Sequence, residues 1–135
     1  MRQILASLVA TLFLALGTPS QAQDNPIEAV INDQITAFLA DDFDTAFTYA
    51  SPNIRQLFGS AQRFGQMVRD GYPMVHRPAE VRMLEQRPLG AGIDQRVLIR
   101  DAAGAVHLLS YMMIETPQGW QINGVQILRA PEIGV

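Results

Sequence analysis

The apolar residues of this chain change period once, near Pro78, and that change constrains the fold more than anything else in the sequence. Before it, Ile27, Val30, Ile31, Ile35, Phe38 and Leu39 recur three or four positions apart, the spacing that places them on one side of a helix. Asn25-Pro26-Ile27-Glu28 supplies the start, with Asn25 as cap, Pro26 in the first helical position and Glu28 placed to reach back. Asp41-Asp42 ends this helix, and a second begins near Asp44 with Phe43, Ala46, Phe47 and Tyr49-Ala50. Ser51-Pro52 opens a third that Gly59 stops. Ser60 opens a fourth, with Phe64, Met67 and Val68 inward and Gly71 at its end.

From Ala79 onward the period is two. Val81 and Met83 alternate with Glu80 and Arg82, Gly90 to Gly92 make a turn, and Ile93 to Arg100 read as a second strand. Asp101-Ala102-Ala103-Gly104 connects it to a long strand from Val106 to Glu115, and Thr116-Pro117-Gln118-Gly119 turns into a fourth from Trp120 to Leu128. Apolar positions in that last strand fall at 120 and 122, then at 125 and 127, so the phase slips at Asn123-Gly124 and predicts a β-bulge. Helices followed by an antiparallel meander predict an α+β fold, with N-terminal helices packed on a curved, roughly four-stranded antiparallel sheet. The third strand carries Val106, Leu108, Met112 and Ile114 on one face and His107, Leu109, Tyr111 and Met113 on the other. Two apolar faces predict a central strand covered on both sides, by helices on one and by a loop, a partner subunit or a ligand on the other.

The first 22 residues stand apart. Arg2 precedes an apolar run from Ile4 to Leu16, Gly17-Thr18-Pro19 breaks it, and Ser20-Gln21-Ala22 places small residues at −3 and −1. This is the pattern of a secretory signal peptide cleaved after Ala22, and it predicts a periplasmic or secreted protein. The run is about 13 residues, short of the roughly 20 that a spanning helix needs, so no membrane anchor is expected. With no cysteine, lipid attachment and disulfides are both excluded. Residues 23–130 are then one α+β domain, and 131–135 a short tail. Every basic residue is arginine; without Arg2 nine face thirteen acids, a formal charge of −4. The arginines are scattered along an acidic chain, which argues against nucleic acid as a partner.

Three strings carry a resemblance: ADDFDTAFTYASPNI (40–54), FGQMVRDGYPMVHRPAEV (64–81) and GWQINGVQILRAP (119–131). They resemble a family of small exported bacterial proteins known as a domain of unknown function, DUF4864. The acidic turn between helices and the GWxI strand are similar to the wider nuclear-transport-factor-2-like (NTF2-like), cystatin-like superfamily. The resemblance implies a cone, in which a curved sheet wraps a long helix around an apolar pocket. That superfamily holds enzymes, lipid carriers and dimerising adaptors, so the fold alone does not decide function. It supplies no catalytic residue to carry over.

Two clusters merit attention as sites. Tyr72, His76 and Arg77 lie in GYPMVHRPAEV; at the mouth of a cone, His76 would move a proton while Arg77 held an anion. The plainer expectation is a proline-stiffened, extended connector with Tyr72 and Met74 in the core and Arg77 paired to an acid such as Glu80. His76 and Glu80 have the helical spacing of metal ligands, but Pro78 lies between them, and no metal site is expected. His107 and Tyr111 share a strand face about 13 Å apart at roughly 3.3 Å per residue, each free to pair with a neighbouring strand. Beside Asp94, His107 would serve as an acid–base group; as a structural residue it would pair with Asp94 or Arg96. Asp41, Asp42 and Asp44 lack the spacing of a calcium loop and read as helix ends. Trp120 reads as a hydrophobic plug, and the methionines suit an adaptable apolar pocket.

No nucleophile motif, phosphate loop or metal cluster occurs, and no cofactor is expected. The sequence therefore favours a non-catalytic binding module for an apolar small molecule, a lipid or a protein partner. The alternatives are an isomerase- or dehydratase-like enzyme using His107 or His76, and a structural adaptor that forms a homodimer through its sheet. Intact-mass measurement of the protein exported by a bacterial host should give a chain that begins at Gln23; a chain retaining Met1 to Ala22 would contradict the export reading.

Overall fold

Asn25 starts the first helix as its residue type demands, the Oδ1 accepting from the amides of Ile27 (3.0 Å) and Glu28 (3.4 Å). The computed structural model describes residues 25–129; the expected signal peptide (1–22) and tail (131–135) lie outside the described residues. Helix α1 is Pro26–Leu39, α2 Phe43–Thr48, α3 Pro52–Phe58, α4 Ala61–Gly71 and α5 Pro73–His76. Strands β1 Pro78–Leu89, β2 Gly92–Asp101, β3 Val106–Thr116 and β4 Gly119–Arg129 follow, forming one antiparallel sheet in sequence order. Short polar side chains mark the helix starts: Asp42 caps α2, Ser51 caps α3 and Ser60 caps α4. Gly59 ends α3 at φ 78°, a left-handed conformation that a Cβ would strain. No helix among the described residues is long and apolar enough to cross a membrane.

The helices pack on one face of the sheet. Ile27, Ile31, Ile35 and Phe38 of α1, with Phe64 and Val68 of α4, meet Val97, Ile99, Leu109, Tyr111, Met113 and Ile122 in one core. In β2 and β3 the register pairs Val97 with Leu109 and Ile99 with His107, which puts both on this inner face. The slip expected at Asn123-Gly124 is present: Met112 pairs with Gly124 but Met113 with Ile122, so Asn123 is the extra residue of a bulge.

One expectation is corrected by the structure. The segment between the prolines is not extended: Pro73–His76 is a four-residue helix, and β1 begins at Pro78. Pro73 occupies the first helical turn, where it costs no hydrogen bond. Strand β3 is central, as its two apolar faces predict, and the helices cover its inner face. Leu108, Met112 and Ile114 on its outer face remain partly exposed, because the helices lie on the inner face. Ser110, Asp94 and Arg96 put a polar pivot in the middle of that outer face, the Ser110 hydroxyl and the Arg96 Nε both donating to the Asp94 carboxylate.

The sheet's last strand is joined to the helical layer by backbone. Ile122 N donates to Tyr49 O (2.9 Å) and Ser51 N donates to Ile122 O (2.8 Å), a short parallel bridge along the edge of β4. This contact turns the chain from α2 into α3. It places α3 beside the open edge of the sheet.

Candidate functional site

A cleft of about 180 Å³ opens between α1, α3, α4 and β4. Ile54 and Phe58 of α3, Phe64 and Met67 of α4, and Ile122 and Val125 of β4 build its apolar walls. Leu57 lies at the rim, 73% exposed. The aromatic wall is continuous, with the Phe64 ring 5.8 Å from Phe58 and 5.3 Å from Phe47. At roughly 30 Å³ for each water of the liquid, the space equals about six waters, enough for a small organic molecule.

Two polar side chains interrupt these walls. Tyr72 is held by its hydroxyl, which donates to Val125 O (2.9 Å). Gln34 is buried, its Nε2 donating to Ala46 O (3.1 Å), which leaves the amide oxygen as the acceptor it can offer the cleft. Tyr72 is among the expected site residues; Gln34 is not. Its signal was in the helix period, since position 34 belongs to the buried series 27, 31, 34, 35 and 38 of α1.

The remaining expected residues lie elsewhere. His76 Nε2 is 2.8 Å from Asp41 Oδ1, and the Arg77 guanidinium donates to both Asp41 oxygens at 2.8 Å. Arg77 also donates to Phe38 O (2.8 Å), a carbonyl at the end of α1. Asp41 has φ 53°, so this clamp holds a non-glycine residue in the left-handed region between α1 and α2. Hydrogen bonds from His76 first and Arg77 second lower the Asp41 carboxyl below its ordinary pKa. Arg77 thus pairs with Asp41 rather than with Glu80, which is engaged by Arg100 and Arg82. The His76 ring stacks on Phe43, 5.9 Å between centroids.

His107 and Asp94 are not brought together. They lie on opposite faces of the sheet, because odd and even positions of paired strands alternate sides. His107 Nε2 is instead 2.8 Å from Asp101 Oδ2, and Asp101 Oδ1 accepts from the amides of Ala103 and Ala105, both 2.9 Å. These bonds, His107's first, lower the Asp101 carboxyl and fix the β2–β3 turn. Arg77 and His107 do meet at the rim of one shallow depression of about 300 Å³, alongside Asp101 and Met74. Tyr111 is fully buried; its hydroxyl has no partner among the described residues, and burial, with Tyr72 nearby, pushes its pKa upward. Among the described residues no group of three or more His, Asp or Glu converges as a metal set.

The domain of unknown function DUF4864 matches residues 20–135. Among solved structures, the chain is similar to a SEC-C motif containing protein from Rhodopseudomonas palustris, with a TM-score of 0.55 at 17% identity over 76% of this chain and 78% of that one. It is also similar to a protein described as an NTF2-like transpeptidase from Campylobacter jejuni, with a TM-score of 0.52 at 13% identity over 74% of this chain and 98% of that one. At such identities the likeness is one of fold, and it makes the architecture NTF2-like. No match was found among curated proteins.

A buried hydroxyl without a partner costs on the order of 1–3 kcal/mol, and Tyr111→Phe removes it while leaving the ring in place. Thermal or urea unfolding of Tyr111→Phe should show a protein at least as stable as the parent. A loss of about 1 kcal/mol or more would mean that the hydroxyl is satisfied in solution.

Proposed function

The chain belongs to the DUF4864 family, and on that footing we propose that this NTF2-like member is a non-catalytic binding module for a small, mostly apolar molecule. The observation that carries the reading is the cleft beside β4, an apolar recess with Gln34 and Tyr72 as isolated polar points. Apolar walls supply the driving force, because surface removed from water contributes about 25 cal/mol per Å². The Gln34 amide oxygen supplies direction, favouring a ligand with one hydroxyl or N–H donor. Binding sites commonly combine these two parts. The signal pattern of residues 1–22 supports a role outside the cytoplasm.

An acid–base enzyme is the competing reading, and it would draw on His107 beside Asp101. Both oxygens of Asp101 are already engaged, one by His107 and the other by the turn amides. That pair has a structural task that accounts for it. His76 has one as well, in the clamp on Asp41. The cleft has no such task, and binding is the reading it favours.

Phenol is a suitable probe, being small, flat and provided with one donor. Titration followed by methyl NMR should give saturable shifts confined to Ile54, Met67, Ile122 and Val125, with benzene binding more weakly. Ile54→Phe, which narrows the cleft from α3, should weaken phenol at least tenfold. Shifts that rise linearly without saturation, or that are equal in the variant, would remove the proposal.

A further inference from the structure

We propose that the chain carries a second ligand site, for a small carboxylate that also bears a neutral hydrogen-bond donor, in the recess where α3 and the end of α2 meet the start of β4. The recess, about 510 Å³, is lined by Arg55, Tyr49, Trp120, Gln118 and Gln121, with Thr48 and Val30 at its walls. Helix α3 borders both sites, turning Ile54, Leu57 and Phe58 to the apolar cleft and Arg55 to this recess.

Two residues that line this recess each carry a buried polar atom without a partner among the described residues: Arg55 Nε, a donor, and Gln121 Oε1, an acceptor. Gln121 is only 5% exposed, and its amide nitrogen is committed to Thr48 O (3.4 Å), so the oxygen is the free end. Folded chains rarely leave such groups unmet, and two on residues lining one recess with no other task point to an outside partner. Charge points the same way. Arg77, Arg82, Arg87, Arg96 and Arg100 each meet a carboxylate, whereas Arg55, like Arg63 and Arg69, has none among the described residues, and no acid lines the recess. An unpaired guanidinium matches the two oxygens of a carboxylate.

The rest of the lining defines the ligand further. Gln121 Oε1 asks for a donor, and without a nearby acid a neutral amide N–H or hydroxyl suits it better than an ammonium ion. Trp120 is partly exposed and lines the recess, and an indole supplies flat, apolar surface for the body of a ligand. Acylated amino acids and hydroxy acids have this combination of groups. The inference is independent of the apolar cleft, since it shares none of the cleft's lining residues.

Trp120 is the only tryptophan, so intrinsic fluorescence reads this recess directly. Titration with N-acetylphenylalanine at pH 7 should change the emission saturably at millimolar concentration or below. N-acetylphenylalanine amide, which lacks the charge, and 3-phenylpropanoate, which lacks the donor, should each bind at least tenfold more weakly. Arg55→Gln should abolish the response, Arg55→Lys should recover part of it, and Ile54→Phe should leave it unchanged. Absence of a saturable response in the parent protein would overturn the site. Equal binding of the amide would overturn the carboxylate assignment, and equal binding of 3-phenylpropanoate the donor assignment. Because these comparisons are made on the parent protein, they hold even if an Arg55 variant fails to fold.

Discussion

Two backbone hydrogen bonds, Ile122 N to Tyr49 O and Ser51 N to Ile122 O, tie the helical layer to the edge of the sheet. Each is worth about 0.5–1.5 kcal/mol net, but their position gives them more influence than their energy. They cover part of an edge strand whose amide and carbonyl groups would otherwise be open to other chains. Ser51 is the junction. Its amide joins the bridge, its hydroxyl donates to Asn123 Oδ1 (2.7 Å), and the same oxygen accepts from Ile54 N (3.3 Å) to cap α3. The bulge at Asn123 presents the side chain that Ser51 meets, so strand irregularity and helix start fit each other.

Both proposed sites flank this bridge. Ala50 and Ile122 line the apolar cleft on one side, while Thr48, Tyr49 and Gln121 line the polar recess on the other. The bridge forms a shared wall, and its backbone pairing makes that wall stiff. The two histidines, chemically the most conspicuous residues in the chain, lie at neither site. Each is hydrogen-bonded to an aspartate at a turn, His76 to Asp41 after α1 and His107 to Asp101 after β2. Paired in this way, they read as supports of the fold.

Sequence pattern was enough for most of the architecture. The caps at Asn25, Ser51 and Ser60, the change of period near Pro78, the face assignment of β3 and the bulge at Asn123 all follow from local rules, and the structure contains each. What local rules do not contain is convergence across the chain. Arg77 meets Asp41, 36 positions away, rather than a neighbouring acid. Asp94 and His107 stand on adjacent strands, but His107 is opposite Ile99, five positions along the ladder, and the two face opposite sides. Arg55 and Gln121 are unremarkable in sequence, one on a short helix and the other in a strand. They become a pair only when the edge bridge closes. Gln34 is the exception, legible from its place on the buried face of α1. The four-residue helix α5 escaped because two prolines five positions apart suggest extended chain, whereas Pro73 at a helix start is equally at ease.

The central claim is that the bridge from Tyr49 to Ser51 is a rigid part of the native protein and fixes both walls. Native-state amide hydrogen exchange tests it most directly, by comparing Ser51 and Ile122 with residues of the central strand. The account predicts that these two amides exchange as slowly as those of Leu109 and Tyr111, opening only with global unfolding. Exchange as fast as that of exposed residues such as Gln56 would show a bridge that opens freely, and the fixed walls assigned to both sites would be contradicted.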